Sequence, residues 1–454
     1  MSVQRRASFH IASALLPSGW ANDVRLELVD GLIAQVCTGQ VAQTEDQRLG
    51  IVLPGLPNLH SHAFQRGMAG LAEMRGTSND SFWTWRETMY RFVDRLTPDH
   101  LQAVAALAYI EMLESGFTRV GEFHYLHHDR DGRPFADPAE MSTAIVAAAA
   151  DSSIALTHLP VFYAHAGFGG LVPGEGQRRF SHNVEDFAAL LGRLRSLLAE
   201  LPDAVLGIAP HSLRAVTPDE LAALIPLASG PIHIHIAEQI KEVEDCLAWS
   251  GARPVEWLLA NAPVDQRWCL VHATHMTEQE TRAMAATGAV AGLCPITEAN
   301  LGDGFFPAEG HLEAGGAYGI GSDSNVLIDA TEELRLLEYG QRLAQRSRNV
   351  LAPAGASTGA TLYRAALAGG AQALGAPAGL VPGAPADFVS LDCEHASLVG
   401  RDGDALIDGL IFAAGRSAID GVWRRGRQLV AQGRHIDRER IAERYRAALR
   451  DLLQ

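Results

Sequence analysis

Cysteine is scarce. The chain has five in 454 residues, Cys37, Cys246, Cys269, Cys294 and Cys393. An odd count without any CxxC pair does not build a disulfide framework and reads as reduced thiols in a reducing, cytoplasmic compartment. Long apolar runs are missing as well; none approaches the roughly 18 to 20 residues that a membrane span needs. The first twenty residues carry two arginines and a short apolar stretch. His10, Ser13 and Pro17 interrupt that stretch, and the pattern runs on into VRLELVDGLIAQV, so no targeting leader is expected. Positive charge is outnumbered, 37 Lys and Arg against 53 Asp and Glu, for a net −16. That field argues against nucleic acid and anionic membranes as partners. It leaves a small anionic substrate open, since a few local arginines can outweigh it. Nothing like GxGxxG follows the first strand-like run, which disfavours a doubly wound dinucleotide fold.

What is present suits one large and one smaller domain. Apolar residues make up 47% and charged residues 20%, ordinary for a globular protein. Both ends are β-rich. Val24–Leu28 alternates apolar with charged, Asp30-Gly31 is a hairpin signal, and Leu32–Val36 resumes the strand. Near the other end 386–392 and 421–430 are strand-like around an Arg425-Gly426-Arg427 turn. Residues 1–52 and 383–436 are therefore expected to form one discontinuous small β-sandwich. Residues 437–454 read as a helix with Ile441, Tyr445, Leu449 and Leu452 on one face.

The middle, 53–382, alternates short apolar runs with amphipathic stretches. The runs are Ile51–Leu56, Arg119–Glu122, Ile154–Phe162, Val205–Ala209, Pro231–Ala237, Trp268–Ala273, Ala289–Cys294 and Tyr318–Gly321. Helical patterns lie between them, for example 98–115, 184–201, 217–228, 239–261, 277–287 and 329–346. Thr217-Pro218-Asp219-Glu220 and Thr277-Glu278-Gln279-Glu280 are helix-start signals. Eight such units indicate an α/β protein with a (β/α)8 TIM barrel.

Active residues of such barrels sit where strands end. The first run leads into Asn58-Leu59-His60-Ser61-His62, the second into Glu122-Phe123-His124-Tyr125, and the fourth into Pro210-His211-Ser212-Leu213-Arg214. The fifth contains His233 and His235 and reaches Glu238. The sixth ends at His272 and the eighth at Asp323. His60 and His62, two apart on extended backbone, point the same way. HxH alone is a weak signal. Joined by His235 and Asp323 it makes a nitrogen-rich set suited to one Zn2+, with iron or manganese as alternatives. Glu238, three residues past His235, is placed to move a proton of a metal-activated water. His272 can polarise the attacked centre, and His233, deeper on its strand, reads as packing. Arg86, in the aromatic stretch Phe82-Trp83-Thr84-Trp85-Arg86, and Arg214 are candidates for pairing carboxylates. The aromatic stretch, within 75–95, reads as a loop able to cover the barrel mouth.

These motifs, with the terminal segments GAPADFVSLD and VWRRGRQLVAQGR, resemble the amidohydrolase superfamily over nearly the whole chain, and more narrowly its mononuclear deaminases. No lysine follows the fourth strand, so the resemblance implies one metal, not a carbamate-bridged pair. The stretches NLHSHAFQRGMAG, SFWTWRE, EFHYLHHD, APHSLRAV, HIHIAEQ and GSDSNV closely resemble the N-formimidoyl-L-glutamate deiminase family. That likeness implies hydrolysis of N-formimidoyl-L-glutamate to N-formyl-L-glutamate and ammonia, a step of histidine degradation. It implies His60, His62, His235 and Asp323 as metal ligands, Glu238, His272 and Asp323 as the catalytic groups, and Gln65, Arg86, Tyr125, His211 and Arg214 around a dicarboxylate substrate. The alternative is a deaminase of a cyclic base such as guanine or cytosine, which needs aromatic and amide contacts in place of two arginines. Barrels of this type often pair, so a homodimer is compatible with the sequence.

Overall fold

The N-terminal strands begin the fold as a meander. In the computed structural model, which describes residues 5–75 and 82–454, β1 (Arg6–Leu16) and β2 (Gly19–Val29) pair antiparallel, and β3 (Leu32–Cys37) follows through Asp30-Gly31. Residues 1–4 of the expected small domain and 76–81 of the expected loop lie outside the described residues. Asp30 and Gly31 both have positive φ, 52° and 81°, the left-handed pair a tight hairpin requires. Strand β4 (Gln47–Pro54) then lies parallel to β1.

The barrel starts two residues later. Its strands are β5 (Leu56–Ser61), β6 (Phe117–His124), β7 (Ala155–Phe162), the two short pieces β8 (Val205–Leu206) and β9 (Ala209–Pro210) of one stave, β10 (Ile232–Ile236), β11 (Trp268–His272), β12 (Val290–Leu293) and β13 (Ala317–Ile320). All neighbours pair parallel. Single bridges close the ring, Ile208 to Ile232, Ser212 to His235 and Ser61 to Asp323. The C-terminal strands β14 (Phe388–Leu391), β15 (Ile419–Arg424), β16 (Arg427–Ala431) and β17 (Arg434–His435) join the N-terminal ones in a single eight-stranded sheet, ordered β17-β16-β15-β14-β4-β1-β2-β3. Its own core gathers Val24, Leu26 and Leu28, every second residue of β2, with Phe9, Phe388 and Trp423.

Some sequence expectations are corrected. The run Ile51–Leu56 is not one barrel strand; Ile51–Pro54 finishes β4, and Leu56 opens β5. The switch falls at Gly55, where a Cβ would lie 2.2 Å from the side chain of Thr118 on β6, which leaves no room for a side chain there. The 239–261 segment is two helices, Ile240–Ser250 and Pro254–Asn261, divided by left-handed Gly251 and started again by proline. The aromatic stretch read as a loop is a helix from Phe82 to Val93. It lacks glycine and proline and buries Phe82, Met89, Phe92 and Val93 on one side.

Helix starts follow local chemistry. Thr217 accepts from the Glu220 amide and the Glu220 carboxylate takes the Thr217 amide at 2.8 Å; Thr277 and Glu280 repeat the arrangement. The C-terminal helix Arg438–Leu452 lies on helix Pro98–Glu114, with Arg438 reaching Glu114 and Glu111. Helix Thr358–Ala373 packs its glycines against β13, and a Cβ on Gly369 would lie 1.9 Å from the Tyr318 carbonyl oxygen. On the solvent side of helix Val184–Leu198, exposed Gly192 has nothing near its missing Cβ. Gly369→Ala is therefore expected to lower unfolding free energy by about 1–3 kcal/mol through overpacking. Gly192→Ala should raise it by about 0.5–1 kcal/mol. Urea unfolding of both variants checks the pair, and equal effects would contradict the packing.

Candidate metal centre and substrate pocket

Strand ends bring the metal-type residues together. His60 and His62 leave the end of β5, His235 comes from β10, and Asp323 follows β13. All four are buried. His60 Nε2 lies 3.2 Å from His62 Nε2 and 3.0 Å from His235 Nε2. Asp323 Oδ1 lies 3.5 Å from His60 Nε2 and 3.3 Å from His62 Nε2. The four form a group able to hold a metal ion.

The local bonding fits that use. His62 Nδ1 donates to the Phe123 carbonyl at 2.9 Å, which leaves the Nε2 lone pair facing the other imidazoles. Burial pushes His60 down to about 3 and also lowers His62 and His235, which favours neutral rings near pH 7, the form in which imidazole can bind a metal. Burial alone would raise Asp323, but His60, His62 and His272 hold it below the usual carboxylate range. Three converging imidazole nitrogens and a carboxylate in a dry pocket suit a cation between them.

Next to the cluster sit Glu238 and His272. His272 Nε2 lies 3.9 Å from Glu238 Oε1 and 3.8 Å from Asp323 Oδ2. Burial pushes Glu238 up, against the pull of His272 and Arg214. Burial pulls His272 down, but Glu238, Glu298 and Asp323 outweigh it and hold the imidazole up. A carboxyl raised toward neutrality beside an imidazole is suited to taking and returning a proton.

One cavity unites these groups with the remaining candidates. His62, Gln65, Arg86, Tyr125, His211, Arg214, His235, Glu238, His272 and Asp323 all line it, while His60 lies behind its wall. Gln65 Nε2 donates to Tyr125 Oη at 2.9 Å. Burial keeps the Tyr125 phenol protonated, well above its ordinary range. His211, beside His235 at 4.9 Å between ring centroids, is held neutral by burial and then by Arg214. The Arg86 and Arg214 guanidiniums lie 4.6 and 5.7 Å from the Trp83 ring centre. His233 stands apart from the cavity and bonds the Ala373 carbonyl at 2.7 Å.

Sequence reasoning missed part of the lining. Tyr163 follows the end of β7, so the strand-end rule points to it. Met89 and Tyr90 become visible once the aromatic stretch is read as a helix. Ser324 follows Asp323 past the end of β13, so the same rule points to it, while Phe180 and Thr297 carry no such signal. Glu242, fully buried, accepts the amides of Ala237 and Glu238 at 3.2 Å each and so fixes the backbone that aims Glu238.

Residues 51–429 match the Amidohydrolase family, and residues 8–50 match the N-terminal domain of formimidoylglutamate deiminase HutF. The chain belongs to the amidohydrolase family. It is 55% identical over 447 residues to the formimidoylglutamate deiminase of Pseudomonas aeruginosa, covering 97% of this chain and 98% of that one. It is also 55% identical to a solved amidohydrolase from Brucella melitensis, with a TM-score of 0.95 over 99% of this chain and 100% of that one. An adenosine deaminase from Xanthomonas campestris, solved with bound zinc, shares the fold at 23% identity and a TM-score of 0.81, covering 98% of each chain. Within the family the chain groups with the formimidoylglutamate deiminases.

A second histidine group, His124, His127, His128, His158 and His182, is buried on β6, β7 and their loops. His158, fully buried, bonds Ser142 Oγ at 3.0 Å, and burial pushes it down to about 3 from the ordinary 6.5. Its folded pKa lies below the unfolded one. Below pH 6.5 the unfolded chain takes up a proton that the folded chain refuses. Stability is therefore complete above about 6.5 and falls from there toward 3, by about 1.4 kcal/mol per pH unit for this residue. Urea titrations at pH 7.5 and 5.5 should show the acid loss shrinking by about 1 kcal/mol in His158→Gln. An unchanged loss would place its source elsewhere.

Proposed function

We propose that the chain is a zinc-dependent deiminase that hydrolyses N-formimidoyl-L-glutamate to N-formyl-L-glutamate and ammonia. The observation that carries the substrate is the pair Arg86 and Arg214, two guanidiniums around one indole in the cavity that His62, His235 and Asp323 of the four-residue cluster also line. Planar guanidiniums match carboxylates, and a glutamate moiety brings two. The likeness to the Pseudomonas aeruginosa enzyme at 55% identity supports the same substrate.

His60, His62, His235 and Asp323 would hold the ion, and three imidazoles with one carboxylate favour zinc. When bound, the ion lowers the pKa of a water toward neutral. Glu238 takes a proton from the attacking water and delivers it to the imino nitrogen. The formimidoyl carbon becomes tetrahedral, its former C=N bond single, and His272 and Asp323 steady the charge that develops there. Glu238 then carries the proton of the new hydroxyl to the same nitrogen, the C–N bond breaks as the C=O bond forms, and ammonia leaves. Gln65, Tyr125 and His211 orient the substrate as neutral contacts, while Arg86 and Arg214 take its carboxylates. A cytoplasmic setting fits the five unpaired cysteines.

Incubation with N-formimidoyl-L-glutamate should release ammonia and N-formyl-L-glutamate, and a chelator should stop it. Formamide and glutamate as products would mean that the other carbon–nitrogen bond is cut; turnover of guanine or cytosine alone would move the substrate to a cyclic base. Glu238→Gln should lower kcat by about 10²- to 10⁴-fold with the metal retained; near-normal turnover would remove its role. Arg214→Ala should raise KM by roughly 10- to 100-fold, the loss of one charge-assisted hydrogen bond. An unchanged KM would take Arg214 out of the substrate contacts.

A further inference from the structure

His272 is held from both sides. Its Nε2 faces Glu238 and Asp323, while its Nδ1 lies 3.3 Å from Glu298 Oε1. Glu298 stands on helix Pro295–Leu301, directly after β12, and is buried. The same Oε1 accepts the Cys294 amide at 2.9 Å, so the backbone where β12 gives way to this helix fixes the carboxylate. The His272 ring lies nearly parallel to His235, 5.5 Å between centroids and 12° between planes. Its backbone is left-handed, φ 66°, and so is that of Ala273, φ 48°. Nothing in that backbone selects the ring orientation; a flip about Cβ–Cγ would put Cδ2 where Nδ1 stands and Cε1 where Nε2 stands. A carboxylate at Nδ1 removes the choice, because an oxygen acceptor requires an N–H opposite it.

We infer that Glu298 is the positioning residue of this site: its carboxylate holds the Nδ1–H of His272 and thereby commits Nε2 to Glu238, Asp323 and the reacting centre. The inference rests on the deiminase reading for its effect on turnover, though not for the contact itself. It uses the logic by which a buried carboxylate sets the tautomer and orientation of an active-site histidine. His272, Cys294 and Glu298 could also be read as a second metal site, since their ligand atoms lie within 4.8 Å of one another. Two facts oppose that. The oxygen nearest His272 already serves two N–H donors. The Cys294 thiol is held protonated by burial and then by the negative charges of Asp323, Glu298 and Glu333.

The test is Glu298→Gln in the full-length, metal-loaded chain, with Glu298→Asp beside it. Glu298→Gln keeps the size and one acceptor but loses the charge. It should retain metal content and melting temperature, lower kcat by about 10- to 100-fold, and leave KM unchanged. A low-field imidazole N–H proton resonance, assigned by its loss in His272→Asn, should be present in the parent and Glu298→Asp and shift or vanish in Glu298→Gln. Glu298→Asp should retain more turnover than Glu298→Gln. Parent-like kcat in Glu298→Gln, a change confined to KM, or an unmoved resonance would overturn the inference. So would two metal equivalents per chain falling to one in Glu298→Gln, or failure of both variants to fold, which would make Glu298 structural. If the parent itself releases no ammonia from N-formimidoyl-L-glutamate, the deiminase reading fails, and the resonance still decides the Glu298–His272 contact.

Discussion

The seam between the first and last barrel strands is where fold and chemistry become the same problem. His62 donates its amide to the Asp323 carbonyl at 2.9 Å, and Asp323 returns one to the His60 carbonyl at 3.0 Å. Asn58 spans the seam with both ends of its amide, taking the Ser322 amide and giving to Ser322 Oγ. Asn325 closes it from the other side, donating to Ser61 Oγ and to the carbonyls of His62 and Asp323. The buried polar groups of this network are satisfied by one another, which gives a rigid, uniquely registered joint. Three of the four side chains of the candidate metal group, His60, His62 and Asp323, hang from it. A slip of one residue would turn His60 and His62 to the opposite face and break the barrel closure at once.

Strain accumulates at the same level of the barrel. Ala237, His272, Ala273, Asp323 and Asn325 all have positive φ, from 43° to 66°, without being glycine. Each such residue costs about 1–3 kcal/mol unless its surroundings over-determine it. The surroundings do so here. Glu242 clamps the amides of Ala237 and Glu238, Glu298 braces His272, and Asn325 braces the Asp323 carbonyl. The kinks turn side chains that would alternate along a strand into one cavity. They cluster where β10, β11 and β13 end and carry Glu238, His272 and Asp323.

This explains what was legible in the sequence. Barrel strands read clearly because they are buried on both sides, and residues that follow them must reach the top face. His60, His62, His211, His235, His272 and Asp323 were found in this way, and their convergence is now visible in distances. The first strand reads as one because Ile51–Leu56 is continuous in hydrophobicity; the division falls at Gly55, where the Thr118 side chain packs, and that is a three-dimensional fact. Glu242 and Glu298 were missed for a related reason. On their helices they look like ordinary acidic residues, and their burial depends on a neighbouring strand's left-handed end. Helix Phe82–Val93 reads as a loop in sequence because its aromatics cluster at its start, although the stretch contains no glycine or proline to break it.

The pocket also accounts for how an acidic chain would select a dianion. Arg214 is buried, and its charge is supported by Glu242 and Glu238, with burial the main opposing influence. Its Nε and the Oε1 of Gln65 have no protein partner among the described residues. Such groups are expensive to leave unpaired in a dry site. On the proposed reading a substrate bearing carboxylates and an amidine supplies the missing partners. An analogue without them would leave these groups unpaired, and that penalty is a stronger filter than any hydrophobic fit. The aromatic walls from Phe82, Trp85, Tyr90 and Phe180 strengthen the effect by excluding water. Selectivity then comes from what the cavity leaves unsatisfied, and the clamps on Glu238 and His272 keep the reacting groups aligned while those partners are supplied.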